Sequence, residues 1–322
     1  MPQTAIKPPR LAPGQTIGLI SPSGPTSPTT GTTPELLEAA RVRLADEGFR
    51  TVVGRHALDV RGYLAGCDAD RVADLHAMFA DPDVHAVVCI RGGYGTMRLL
   101  GALDYDLIRR HPKVFIGYSD ITALHLAFYH RAGLVTFHGP MATALAKGDG
   151  HDLQQLLRAI TRPDPPGPLT NPADGPAIDT LVPGTAEGVL LGGNLALLTS
   201  LLGTPYLPAL SGAVLFIEDI VDHLYRLDRK LVHLRLAGVL EQAAGFVVGE
   251  SRLRTVTPGN GPAAPTLSMR EIFEDLIVPF GKPAIYGLAC GHGAYHLTLP
   301  IGTRARLDAT RGVLSIEEPA VA

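Results

Sequence analysis

Three short stretches of this 322-residue chain hold side chains that could do chemistry together. In FIGYSDITALHLAFYH (115–130), an apolar run ends on Gly117-Tyr118-Ser119-Asp120 and the pattern turns at once to a helical one. A sharp strand-to-helix turn exposes a hydroxyl and sets the positive end of the following helix near its oxygen. Ser119 is therefore a candidate nucleophile. The competing reading is that Ser119 or Asp120 only caps the helix. No glycine stands two places after the serine, so the usual GxSxG elbow is not matched.

A serine nucleophile needs a base and a group that orients the base. Glu218 closes AVLFIED (213–219), where a carboxylate after an apolar run is partly buried and wants a donor. It could equally form a strand-end salt bridge or a helix cap. His292 lies between two glycines in CGHGAYH (290–296), so its imidazole could project into a cleft with little obstruction; taken alone, it could also be a loop histidine with no such role. Glu218, Asp219, Asp222, His223, His292 and His296 offer metal ligands, yet neither HExxH nor CxxC spacing is present, and no metal or cofactor is expected. The third stretch is RGGYG (91–95), directly after the apolar run VHAVVCI. Gly92, Gly93 and Gly95 would let the backbone approach a ligand and aim N–H groups at an anion, or would simply make a tight turn. The loop is neither a Walker motif nor GxGxxG, which disfavours a nucleotide.

These stretches need elements to position them. Strand patterns at TIGLIS (16–21), FRTVVG, VHAVVCI, KVFIG and LVTFHG alternate with helical patterns at 34–48, 68–81, about 96–110 and 120–133. That alternation predicts a doubly wound parallel sheet over residues 1–146, with ligands collecting at the carboxyl ends of its strands. Residues 147–185 are rich in proline and are read as a linker. Residues 186–322 read as a second, smaller α/β domain: strands at AVLFIED, FVVGE, PAIYGL, HLTLPIG and VLSIEE, a long helix within 225–245, another around 268–281, and antiparallel final strands. The nucleophile candidate falls in the first domain, and the glutamate and histidine fall in the second.

Composition narrows the classes. A chain with 46% hydrophobic residues can bury a sizeable core, and a net charge of −3 without a basic run gives no surface for nucleic acid. Cys67, Cys89 and Cys290 match neither a disulfide framework nor a zinc knuckle. No signal peptide and no transmembrane run is read, so the expected location is the cytoplasm and the expected partner a small molecule.

Taken in order, ISPSGP, the run from AGCDADRVADLHAMF to RGGYGTMRLL, IGYSDITALH, TFHGPM, GVLLGGNLALLTSLLGTPYLP, LFIEDI, YRLDRKLVHLRLAG and CGHGAYHLTLPIG resemble the LD-carboxypeptidases, the muramoyltetrapeptide carboxypeptidases among serine peptidases. The resemblance implies a Ser-Glu-His triad on Ser119, Glu218 and His292. It also implies a doubly wound N-terminal domain, a smaller β-rich C-terminal domain, a site between them and a homodimer. The implied reaction releases the terminal D-alanine of cell-wall tetrapeptides, so the partner would be a small muropeptide. In that scheme the backbone N–H groups of Asp120 and Gly93 hold the oxyanion. Arg91, Arg98, Arg226 or Arg229 would take the terminal carboxylate, with Tyr94 a further contact. Asp222 stands where most members are expected to carry glutamate. Two alternatives stay open: a related branch that hydrolyses peptide-nucleotide antibiotics, and a non-enzymatic two-domain protein that closes on a small anion at RGGYG.

Overall fold

A computed structural model describes residues 5–27, 31–148, 150–254 and 266–322 of the chain. Its first sheet has six strands in the order Leu299–Ile301, Thr136–His138, Val114–Gly117, Ala86–Cys89, Thr16–Ile20 and Arg50–Val53. Five run parallel, as the alternating pattern predicts; Leu299–Ile301 is antiparallel to Thr136–His138. The expectation that RGGYG and Ser119 share one sheet edge holds. Ala86–Cys89 and Val114–Gly117 are adjacent parallel strands, and the two loops leave their carboxyl ends side by side.

The second sheet has eight strands. Four parallel ones, Thr185–Asn194, Val214–Glu218, Gly245–Glu250 and Ala284–Gly291, form its middle. Antiparallel strands flank them, Arg304–Asp308, Val313–Ile316 and Gly167–Leu169 on one side and Asp179–Val182 on the other. Parallel order in the middle puts Glu218 and Gly291, the residue before His292, at the same end of the two strands that flank Gly245–Glu250.

Several readings need correction. The helix expected over about 96–110 is two short 3-10 turns, Thr96–Arg98 and Leu100–Ala102, followed by the helix Tyr105–Arg110. Gly101 weakens the middle, and Asp104 starts the helix afresh by accepting from the Leu107 N–H. The helix expected within 225–245 divides at Gly238, which adopts a left-handed conformation between Leu224–Leu236 and Val239–Gln242. The proline-rich stretch 147–185 carries the helix His151–Thr161 and both edge strands of the second sheet. Proline is tolerated at sheet edges, where no ladder N–H is required, so Pro168 sits in an outermost strand. HLTLPIG supplies a strand to the first sheet, and Arg304–Asp308 is a further strand that the sequence reading omitted.

One contiguous cluster of buried apolar side chains runs from Phe79, Phe115 and Phe128 in the first lobe to Phe216, Phe246 and Phe273 in the second. The lobes therefore share a core. A second cluster, including Ile17, Leu44, Ile116 and Phe137, fills the opposite face of the first sheet. No helix among the described residues is long and apolar enough to cross a membrane.

Candidate active site

Ser119 follows Val114–Gly117 and opens a 3-10 turn that leads into the helix Thr122–Ala127. It is the one non-glycine residue with positive φ among the described residues, at 64°. A side chain in the left-handed region costs about 1–2 kcal/mol, and the surrounding contacts must hold it there. Neither Ser119 nor Asp120 caps the helix. The Asp120 carboxylate instead accepts from Ser23 Oγ at 2.6 Å and from the Thr96 N–H at 2.9 Å, while Thr96 Oγ1 donates to the Asp120 carbonyl at 2.6 Å. These bonds tie the serine turn to the loop after the first strand and to the end of the glycine loop.

The glycine loop lies against the serine. A Cβ on Gly92 would come within 3.1 Å of Ser119 Cβ, and one on Gly93 within 3.0 Å of Gly24 Cα. Gly93 also has φ of 137°, a conformation that side chains rarely adopt. Arg71, with its side chain fully buried, donates to the carbonyls of Pro22 at 2.6 Å and Gly95 at 3.1 Å and pairs with Asp68 at 2.5 Å. The loop is thus held from behind by a buried guanidinium.

The second lobe brings the other two residues. His292 Nε2 is 3.1 Å from Ser119 Oγ, and His292 Nδ1 is 2.5 Å from Glu218 Oε2. Glu218 is completely buried and also accepts from Asn194 Nδ2 at 3.2 Å. Asn194 in turn bridges to Asp219 at 3.2 Å, whose other oxygen pairs with Lys230 at 2.5 Å. The Asn194 backbone N–H is tied to the first lobe, donating to Thr122 Oγ1 at 3.0 Å. A Cβ on neighbouring Gly193 would lie 2.6 Å from that same oxygen, so glycine is required for this close approach.

Burial is the largest influence on His292 and pushes its pKa down. The Glu218 charge and hydrogen bond, helped by Asp219, outweigh it, so the pKa stands above the ordinary histidine value. Asp219 is shifted upward by burial, against the pull of Lys230. Tyr118 packs its ring 5.3 Å from His292 and 4.7 Å from His296; burial, and then the Glu218 charge, drive its phenol far above the usual range and keep it neutral. Burial lowers His296 despite Asp152 nearby.

A cleft of about 500 Å³ opens over Ser119, His292, Gly92 and Gly93. Among the arginines considered for a carboxylate, Arg91 lines it, held by the Pro25 carbonyl at 3.1 Å. Arg226 pairs with Asp222 at 2.9 Å and lies against Tyr225, Arg229 lies over the same ring, and Arg98 pairs with Asp68 at 2.8 Å; none of the three lines the cleft. Tyr94 is exposed and packs edge-on against Tyr63, also outside the lining. Lys147 and Arg254, which the sequence reading missed, do line it. Asn194 was missed as well, although it closes an apolar strand in the manner of Glu218. Of the residues weighed as metal ligands, Glu218 and Asp219 are engaged by His292 and Lys230. The described group whose ligand atoms lie within 4.8 Å of one another is elsewhere, at His56, Asp59 and Asp70.

A hydroxyl on a strained turn, an imidazole in contact with it and a buried carboxylate behind that imidazole can perform acyl transfer. Fold and geometry together define a class, a two-lobed α/β protein with the site of a serine hydrolase. Sequence models of the LD-carboxypeptidase N-terminal and C-terminal domains match residues 17–139 and 187–307. The probable murein peptide carboxypeptidase of Bacillus subtilis is 41% identical over 97% of this chain and 94% of its own length. Among solved structures, the microcin C7 self immunity protein MccF superposes with a TM-score of 0.88 at 26% identity, covering 98% of this chain and 99% of that one. The muramoyltetrapeptide carboxypeptidase from Oxalobacter formigenes gives 0.76 at 29% identity, covering 94% and 98%. The chain belongs to the LD-carboxypeptidase family.

Proposed function

We propose that this protein is a serine-type LD-carboxypeptidase that hydrolyses the amide between an L-centre and the terminal D-alanine of a murein tetrapeptide. The observation that carries the reading is the unbroken relay from Ser119 Oγ through His292 to Glu218, at 3.1 and 2.5 Å. His292 Nε2 takes the proton of Ser119 as Oγ attacks the carbonyl, forming the tetrahedral intermediate. Glu218 accepts the Nδ1–H, which fixes the tautomer and stabilises the imidazolium. The proton then passes to the leaving nitrogen, D-alanine departs, and water, activated by the same imidazole, cleaves the acyl-serine. Backbone N–H groups of Gly93 and Asp120 would hold the oxyanion, a role favoured by the contact of the glycine loop with Ser119. Arg91 is the preferred partner for the terminal carboxylate, because it reaches the cleft.

The cell-wall substrate is preferred over a peptide-nucleotide because the murein peptide relative is 41% identical, against 28% for the microcin C7 self-immunity protein of Escherichia coli. A non-enzymatic anion binder would need neither Glu218 nor His292, and their alignment on Ser119 speaks for catalysis. Incubating wild-type and Ser119→Ala protein with tetrapeptide and measuring D-alanine tests the scheme. Release by the wild type alone is expected; near-normal release by the variant would remove Ser119 from it. The cytoplasm and a homodimeric state complete the proposal, the first in keeping with three free cysteines. Light scattering on the purified protein tests the second.

A further inference from the structure

Two buried acids stand side by side where the strand Val214–Glu218 ends. Glu218 is fully buried, Asp219 is 1% exposed, and one amide serves both: Asn194 Nδ2 donates to Glu218 Oε1 and to Asp219 Oδ1, each at 3.2 Å. That amide cannot turn over, because its Oδ1 accepts the Ala196 N–H at 3.1 Å and caps the helix Leu195–Leu201. Asp219 Oδ1 also accepts the Ile220 N–H at 2.9 Å, and Oδ2 pairs with Lys230 Nζ at 2.5 Å. Among the described residues, Lys230 and His292 are the basic side chains within ion-pair distance of the two acids. His292 must be neutral to act as a base, so at rest Lys230 supplies the compensating charge. It comes from the helix Leu224–Leu236, its side chain 23% exposed, and it does not line the cleft over Ser119.

When two neighbouring carboxylates are buried and their cation is removed, one of them takes up a proton. We propose that Lys230 is a positioning residue for the hydrolysis, holding Asp219 as a carboxylate so that Asp219 and Glu218 together grip the Asn194 amide and Glu218 keeps His292 aimed at Ser119. The inference rests on the peptidase reading above. Burial raises the Asp219 pKa and the Glu218 charge raises it further, while the charge and hydrogen bond of Lys230 are the main influences against them. Without Lys230, Asp219 is the acid that takes the proton, and its charge no longer supports the His292 imidazolium that burial opposes. No other neighbour makes up the loss. Besides the two acids, His292 faces Arg252, whose charge disfavours the imidazolium, Tyr118 and His296, which burial keeps neutral, and Glu250, whose carboxyl burial shifts upward.

The test follows the His292 imidazole by NMR titration in wild-type, Lys230→Met, Lys230→Arg and Asp219→Asn proteins, with His292→Gln identifying its signal. In parallel, kcat and KM for D-alanine release are measured across the same pH range. Lys230→Met should move the His292 titration and the acid limb of kcat downward and lower the plateau kcat about 10-fold, with KM changed by less than about 2-fold, as loss of a charge-assisted hydrogen bond remote from the substrate predicts. Lys230→Arg should restore most of the activity. Asp219→Asn should reproduce Lys230→Met, and adding Lys230→Met to it should lower kcat no further. A His292 titration in Lys230→Met that stays in place or moves upward overturns the inference, because Asp219 then keeps its charge without the lysine. A loss of kcat that persists undiminished in the Asp219→Asn background overturns it too, as does a loss of stability alone, which would mark an ordinary structural ion pair. A downward titration in a protein that releases no D-alanine would uphold the coupling of Lys230 to His292 and refute the peptidase reading.

Discussion

Replacing Glu218 by glutamine probes the relay where the structure makes its strongest statement. Glu218 is fully buried, its Oε1 takes the Asn194 amide, and its Oε2 sits 2.5 Å from His292 Nδ1. Glutamine keeps the volume and the acceptor for Asn194, but presents an NH₂ group to Nδ1. A donor there favours the tautomer with Nδ1 bare and Nε2 protonated, which cannot accept the Ser119 proton. The amide substitution in the aspartate-containing triad costs about 10⁴-fold in kcat, or about 5.5 kcal/mol, and a similar loss is expected here. A second effect has a sign that separates electrostatics from geometry. In the wild type, Glu218 overcomes burial and holds the His292 pKa above its ordinary value. The base acts only when neutral, so kcat/KM should fall as pH drops through a point above about 6.5, the unperturbed histidine pKa. With glutamine in place, burial remains and the larger compensating charge is gone, leaving only the help of Asp219, so the acid limb of the residual activity should move downward. D-alanine release followed from pH 5 to 9 reads both. A variant with wild-type plateau activity, or one whose limb does not move downward, refutes the assignment of Glu218 as the partner of the base.

Gly93→Ala should lower stability by about 1–3 kcal/mol in denaturant titration, because φ of 137° and a contact of 3.0 Å with Gly24 Cα both oppose a Cβ; it should also depress kcat if the loop N–H holds the oxyanion, a donor worth about 3–4 kcal/mol elsewhere. Unchanged stability and rate would show that the loop needs no glycine there. Arg91→Met should raise KM for the free-acid peptide while leaving the poor hydrolysis of its C-terminal amide little altered, whereas Arg226→Met, at an exposed pair with Asp222, should change neither. Equal rates on acid and amide with the wild type would remove carboxylate recognition altogether.

Periodicity in the sequence determined the parallel sheet, the ends of its strands and therefore the loops on which Ser119 and the glycines stand, since strand-helix alternation admits few topologies. Glu218 was legible as a polar group that closes an apolar run and must meet a partner or water, His292 as an imidazole set between two glycines after a strand, and their joint role came from the family resemblance. Local pattern also explains its own misses. Gly101 and Gly238 interrupt helices whose apolar spacing continues across them, and His151–Thr161, with Leu153, Leu156 and Ile160 buried, was obscured by the prolines that follow it. Tertiary structure alone decided what lies across the lobes. That Ser119 and His292 meet, that Arg91 reaches the cleft while Arg226 turns to Asp222, and that Asp120 braces loops rather than capping a helix depend on contacts between residues far apart in sequence. Such contacts are fixed by how two sheets share one core, a three-dimensional packing condition that no spacing along the chain encodes by itself.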